Sequence, residues 1–118
     1  MILVVGGLGA GKRDYVLHTL GYGGADIAQA VLDERPVLLD LHELIRAEGS
    51  FQEAWFAPMC AKAVVVCSEV GCGVVPLDAA ERRWREEVGR ASTRLAAEAE
   101  AVVRIVCGLP QILKGKLP

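Results

Sequence analysis

Aromatic side chains make up only 5% of these 118 residues. A core assembled without them must come from Val, Leu, Ile and Ala, which suits strands covered by helices better than an aromatic-rich β-sandwich. No apolar run reaches the ~18 residues of a membrane span, because Arg, Asp, Glu or Gly interrupts each one. No membrane span is expected. The opening Met1-Ile2-Leu3-Val4-Val5 lacks the basic start and cleavage site of a secretion signal, so the cytoplasm is the expected location. Cys60, Cys67, Cys72 and Cys107 form no C-x-x-C pair, and with only two His residues a zinc site is not expected. They read as ordinary buried thiols. An excess of one charge is absent as well: 13 Lys+Arg face 15 Asp+Glu, a net charge of −2. That balance supplies no basic face for nucleic acid. A small-molecule partner is expected instead.

Against these absences stand 53% hydrophobic residues and a mean hydropathy of +0.34. A chain of this size buries roughly two thirds of its unfolded surface. Disorder is excluded, and a single domain over residues 1–118 is expected. The apolar run at residues 2–5 stops at Gly6 and Gly7, as a strand buried on both faces does. A glycine-rich turn follows, then a helix over residues 12–20. Residues 25–34 read as a second short helix. Pro36 introduces a strand over residues 37–41. A helix over residues 42–48 stops at Gly49, and Ser50-x-x-Glu53 reads as a capping box restarting it to about residue 61. Residues 63–67 form a third strand, followed by the loop of residues 68–76, rich in Gly and Pro. Asp78 with Glu81 three residues on opens a helix to about residue 100. Residues 102–107 close the pattern as a fourth strand, with a short apolar and basic tail. Such alternation predicts an α/β fold, a mainly parallel sheet with helices on both faces. Ligands in that class bind at the carboxyl ends of the strands.

Gly6-Gly7-Leu8-Gly9-Ala10-Gly11-Lys12-Arg13 fits G-x-x-x-x-G-K between a strand and a helix, the setting of a phosphate-binding loop. The glycines Gly6, Gly7, Gly9 and Gly11, with Ala10, let the backbone N–H groups curl inward, and Lys12 would reach the β- and γ-phosphates. Nucleotide binding is expected. Arg13 stands where Ser or Thr would ligate Mg²⁺. A guanidinium there pairs with phosphate oxygens and partly replaces the metal's charge. Asp40, at the end of an apolar run, is either a carboxylate holding Mg²⁺ or a cap of the following helix. Glu69 either orients a substrate hydroxyl or a metal-bound water, or is a solvated loop carboxylate. Arg90 and Arg94 share a helix face, but Glu86 offers Arg90 an ordinary i,i+4 pair.

The segments Met1-Ile2-Leu3-Val4-Val5-Gly6-Gly7, Val64-Val65-Val66-Cys67-Ser68-Glu69-Val70-Gly71-Cys72-Gly73-Val74-Val75-Pro76 and Gly89-Arg90 to Arg94, through to Gly108-Leu109-Pro110, carry a resemblance. The chain resembles the bifunctional adenosylcobinamide kinase and adenosylcobinamide-phosphate guanylyltransferase family of cobalamin biosynthesis. The likeness implies a RecA-like P-loop fold, ATP or GTP at residues 6–12, and a cobinamide-type substrate phosphorylated on its aminopropanol hydroxyl and then given GMP. It implies a homotrimer. It also implies phosphate binding by Lys12, assistance to the metal by Asp40, and a place for Glu69 at the nucleotide or substrate site. The family guanylylates a histidine carried between the first helix and the second strand motif. Here that interval, residues 21–36, contains no His, and neither His18 nor His42 matches the position. No covalent guanylyl adduct is expected. The alternative reading is a non-catalytic nucleotide-binding homologue acting as a subunit or sensor.

Overall fold

In the computed structural model, which describes residues 1–70 and 78–117, six strands form one sheet. They are β1 (Ile2–Gly6), β2 (Ile27–Gln29), β3 (Val37–Leu39), β4 (Val64–Ser68), β5 (Ala101–Val106) and β6 (Leu109–Lys114), in the order β2-β3-β4-β1-β5-β6. The first five run parallel, and β6 folds back antiparallel on β5. This is the mainly parallel α/β architecture expected from the sequence. Leu3 lies beside Val65 of β4 and Val102 of β5, so the centre of the sheet is a continuous Val and Leu surface.

Helices α1 (Lys12–Asp14), α2 (Leu41–Glu48), α3 (Phe56–Cys60) and α4 (Ala79–Glu98) divide between the two faces. Period-two alternation along β1 sends Leu3 to one face and Val4 to the other. Leu3 packs with Leu38, Val65, Ile45, Met59, Val88 and Leu95 under α2, α3 and α4. Val4 packs with Val37, Val64, Val66, Tyr15 and Val16 under α1 and the turn that continues it. The result is three layers with the glycine-rich segment after β1 on the thinner side.

Several expectations change on contact with tertiary structure. The helix expected over residues 25–34 is a 3₁₀ turn, Gly24–Asp26, followed by β2. Ile27 and Ala28 are buried because they pair with Val37 and Leu38, a cross-strand partnership that local periodicity cannot report. Strand β3 stops at Leu39 rather than residue 41, since Asp40 turns left-handed at φ +62° and Leu41 already begins α2. Helix α1 continues as a wide π-helical turn, Tyr15–Thr19, rather than as regular helix. The Ser50/Glu53 capping box does not form. Gln52 precedes a 3₁₀ turn, Glu53–Trp55, without a side-chain cap, and the Glu53 carboxylate is drawn instead to Arg94 at 2.7 and 2.8 Å. The tail after β5 is a strand rather than an appendage. Cys107 and Gly108 both adopt positive φ, +51° and +76°, the geometry of a two-residue hairpin turn.

Other expectations hold. The Asp78 carboxylate accepts from the backbone N–H groups of Ala80 and Glu81, capping the 20-residue α4. Arg90 makes its i,i+4 pair with Glu86 at 3.2 Å. Cys67 is buried, Cys60 half-buried and Cys107 exposed, so the expectation of buried thiols fails at the hairpin turn. Cys72 lies outside the described residues. Among the described residues no helix is long and apolar enough to cross a membrane.

Leu95 is fully buried between α4 and the sheet, whereas Leu109 is 70% exposed on β6. Leu95→Ala is expected to cost about 2–5 kcal/mol, and Leu109→Ala less than about 0.5 kcal/mol. Urea unfolding followed by circular dichroism measures both; equal losses would contradict this packing.

Candidate functional site

The carboxyl end of β1 runs straight into the glycine-rich loop. Gly9 and Gly11 hold φ of +71° and +99°, a region that side chains rarely adopt. These two reversals let Ala10 donate its N–H to the Gly7 carbonyl at 3.2 Å and let Tyr15 donate to Gly11 at 3.0 Å, which starts the helix. The β5–β6 hairpin braces the loop from outside. Gly108 donates its N–H to the Ala10 carbonyl at 2.8 Å, and a Cβ on Gly11 would lie 3.2 Å from the Gly108 Cα. A Cβ on Gly6 would meet the Ile105 carbonyl oxygen at 2.7 Å, so the loop leaves the sheet where only glycine fits.

Lys12 turns back under this loop. Its Nζ donates to the Gly7 carbonyl at 2.6 Å, and the residue is only 7% exposed. Burial pulls the ammonium below its usual value of 10.5, while the charges of Asp40, Cys67 and Glu69 oppose that shift. Lys12 lines a cleft of about 370 Å³ whose walls also include Gly9, Gly11, Arg13, Gln29, Asp40 and Ser68. The loop, Asp40 and Ser68 are thus brought together from three strand ends. Arg13 is exposed on the cleft wall, and among the described residues it makes no ion pair.

The helix-cap alternative for Asp40 is not what the structure holds, since its carboxylate makes no cap hydrogen bond. It accepts instead from Gln29 Nε2 at 3.0 Å, across the β2–β3 edge of the cleft. Its left-handed backbone is a conformation that persists only where surrounding structure enforces it, and such residues cluster at functional sites.

Glu69 is not a freely solvated loop carboxylate. Its N–H donates to the Gly6 carbonyl at 2.8 Å, and its carboxylate meets Arg104 of β5 through Nε at 2.9 Å and Nη2 at 3.2 Å. The remainder of the expected loop, including Gly71 and Gly73, lies outside the described residues.

Behind Ser68 sits His42, which is buried. Its Nδ1 accepts the Ser68 backbone N–H at 3.2 Å, and its carbonyl accepts from Trp84 Nε1 at 2.8 Å. Burial pushes its pKa below 6.5. His18, by contrast, is exposed on the π-helical turn. Arg94 is likewise committed elsewhere, with its guanidinium 4.1 Å from the centre of the Phe56 ring as well as paired to Glu53.

Sequence reasoning did not find Arg104, Gln29 or Ser68. Arg104 left a signal, a lone charge inside the apolar run Ala101–Val106. Gln29 and Ser68 left none that distinguishes them from ordinary strand ends.

The arrangement suits an anion, because Lys12 and Arg13 line one cleft beside the glycine-rich loop. It suits a divalent cation less well, since Arg13 offers donors where an oxygen ligand belongs.

Comparison with known proteins adds a family to this geometry. The family model for cobinamide kinase / cobinamide phosphate guanyltransferase matches residues 29–113, well over half of the chain. The bifunctional adenosylcobalamin biosynthesis protein CobU of Salmonella typhimurium is 45% identical over 49 residues, 42% of this chain and 27% of that relative. The bifunctional adenosylcobalamin biosynthesis protein CobP of Pseudomonas aeruginosa is 42% identical over 53 residues, 45% of this chain and 31% of that relative. The matched stretches thus span about a third or less of either relative. The family match begins at residue 29 and does not reach the glycine-rich loop.

The His42 contacts predict an acid sensitivity with a definite sign. Below pH 6.5 the unfolded chain takes up a proton that folded His42 resists, so stability falls as pH drops from 6.5 towards the lower folded value. His42→Asn, which keeps an acceptor for the Ser68 N–H, is expected to flatten that part of the profile of urea midpoint against pH. Identical slopes in both proteins would contradict the assignment.

Proposed function

The chain belongs to the cobinamide kinase / cobinamide phosphate guanyltransferase family, and from that premise we propose that it binds ATP or GTP through residues 6–13 and transfers a phosphoryl group to the hydroxyl of a cobinamide-type acceptor. The observation carrying this reading is the buried Lys12 ammonium, held against the Gly7 carbonyl, in a residue that lines a cleft at the carboxyl end of β1. Gly6, Gly7, Gly9, Ala10 and Gly11 supply the curled backbone, whose N–H groups would take the phosphate oxygens. Lys12 and Arg13 would neutralise charge on the transferred group as it develops.

Glu69 would orient the acceptor hydroxyl. Its carboxylate is already engaged by Arg104, so its contribution is positional: it fixes the direction in which a hydroxyl proton points. Glu69 lines a neighbouring pocket of about 300 Å³ that shares Ser68 with the Lys12 cleft, whereas Asp40, anchored by Gln29, lines the Lys12 cleft itself and opposes the loss of charge from Lys12. Neither histidine stands on the cleft wall to take GMP: His42 is buried behind Ser68, and His18 is exposed away from the cleft. The engagement of Glu69 and the presence of Arg13 favour, as the second reading, a nucleotide-binding homologue without turnover. The homotrimer and the cytoplasmic location implied by the family likeness belong to this proposal as well.

Incubation of the protein with cobinamide and ATP or GTP, followed by chromatography of the corrinoid, tests the catalytic reading. Phosphorylated cobinamide is expected, with formation reduced at least tenfold by Lys12→Met. No phosphorylated product from either nucleotide would leave the non-catalytic reading.

A further inference from the structure

The misfit between this cleft and a divalent cation is specific. An ion bridging two phosphates needs oxygen ligands at close range and near-octahedral geometry. Two features of Arg13 work against that. It occupies the position after the lysine, where a hydroxyl would bind the ion, and its guanidinium has five donors and no acceptor. Its positive charge would also repel a cation bound beside it.

The same features suit an anion that arrives without metal. Arg13 is exposed, lies on the cleft wall next to the buried Lys12 and makes no ion pair among the described residues, so its fork is free to take two oxygens at once. Lys12 cannot play that part, because its ammonium is held under the loop by the Gly7 carbonyl. One cation is therefore fixed beneath the loop and the other stands at its open side.

We propose that the cleft takes a nucleoside polyphosphate as the metal-free anion, with the Arg13 guanidinium standing in place of a bound divalent cation. This inference rests on the nucleotide reading above but makes a separate claim, about what neutralises the phosphates. Arg13 thereby sets the form of the ligand: the free nucleotide rather than its magnesium complex.

Isothermal titration of ATP and GTP into the full chain, once with excess EDTA and once with Mg²⁺, separates the two claims. The proposal expects affinity in EDTA equal to or greater than that in Mg²⁺. It expects Arg13→Ala to weaken binding in EDTA at least tenfold, and Arg13→Ser, which restores a hydroxyl, to make binding depend on Mg²⁺. Arg13 is exposed, so both variants are expected to keep the parent's circular dichroism spectrum. Binding at least tenfold weaker in EDTA would overturn the proposal and leave the nucleotide reading standing. Unchanged affinity in Arg13→Ala would overturn it in the same way. No heat from either nucleotide under any condition would remove both.

Discussion

An ammonium group held out of water beneath a glycine-rich loop is the constraint from which the rest of the site follows. Burying Lys12 carries a desolvation cost, which the protein offsets with the Gly7 carbonyl and with the negative charges of Asp40 and Glu69. That compensation needs backbone reversed at Gly9 and Gly11, and it needs two other strand ends close by. The hairpin turn at Cys107 and Gly108 presses on the loop from the far side and holds it in this shape. Lys12 is thus a cation held in place by the loop itself.

The sheet serves that arrangement. β1 lies between β4 and β5, and its chain leaves the sheet at Gly6 with neighbours on both sides. A crevice forms at the carboxyl ends of strands in open α/β sheets where connections diverge, and here it collects the loop after β1, Asp40 after β3 and Ser68 at the end of β4. The strands themselves are nearly all Val, Leu, Ile and Ala, so polar chemistry is confined to their ends. Glu69 and Arg104 make the clearest exception: the arginine sits within β5 and reaches the carboxylate just beyond β4, tying the two strands that flank β1. This is the scaffold of a member of the cobinamide kinase / cobinamide phosphate guanyltransferase family.

Much of this was legible in the sequence, for reasons that differ from residue to residue. The strands β1, β3, β4 and β5 are apolar runs bounded by Gly, Pro or charge, and a strand buried on both faces leaves no other trace. Asp78 announced α4 because a cap acts within three residues of itself. The glycine motif announced the loop for the same local reason. β2 and β6 stayed hidden because their strand character is supplied by partners. Ile27 and Ala28 are strand residues through Val37 and Leu38, and β6 carries Pro110 and Lys114 and follows a turn whose first residue is Cys107 rather than Gly or Asn. The pairs at these strand ends join residues 11 and 35 positions apart, Gln29 with Asp40 on the wall of the cleft and Glu69 with Arg104 outside it. No local pattern encodes such pairs; strand register does.

The most direct measurement is of the loop itself. In ¹H–¹⁵N spectra of the labelled protein, added ATP is expected to shift the amide resonances of Gly7, Gly9, Gly11 and Lys12 far more than those of the distant α3. Amides of residues 6–13 that do not move at saturating nucleotide, or a response confined to other parts of the chain, would contradict the claim that this loop and its buried lysine form the anion site.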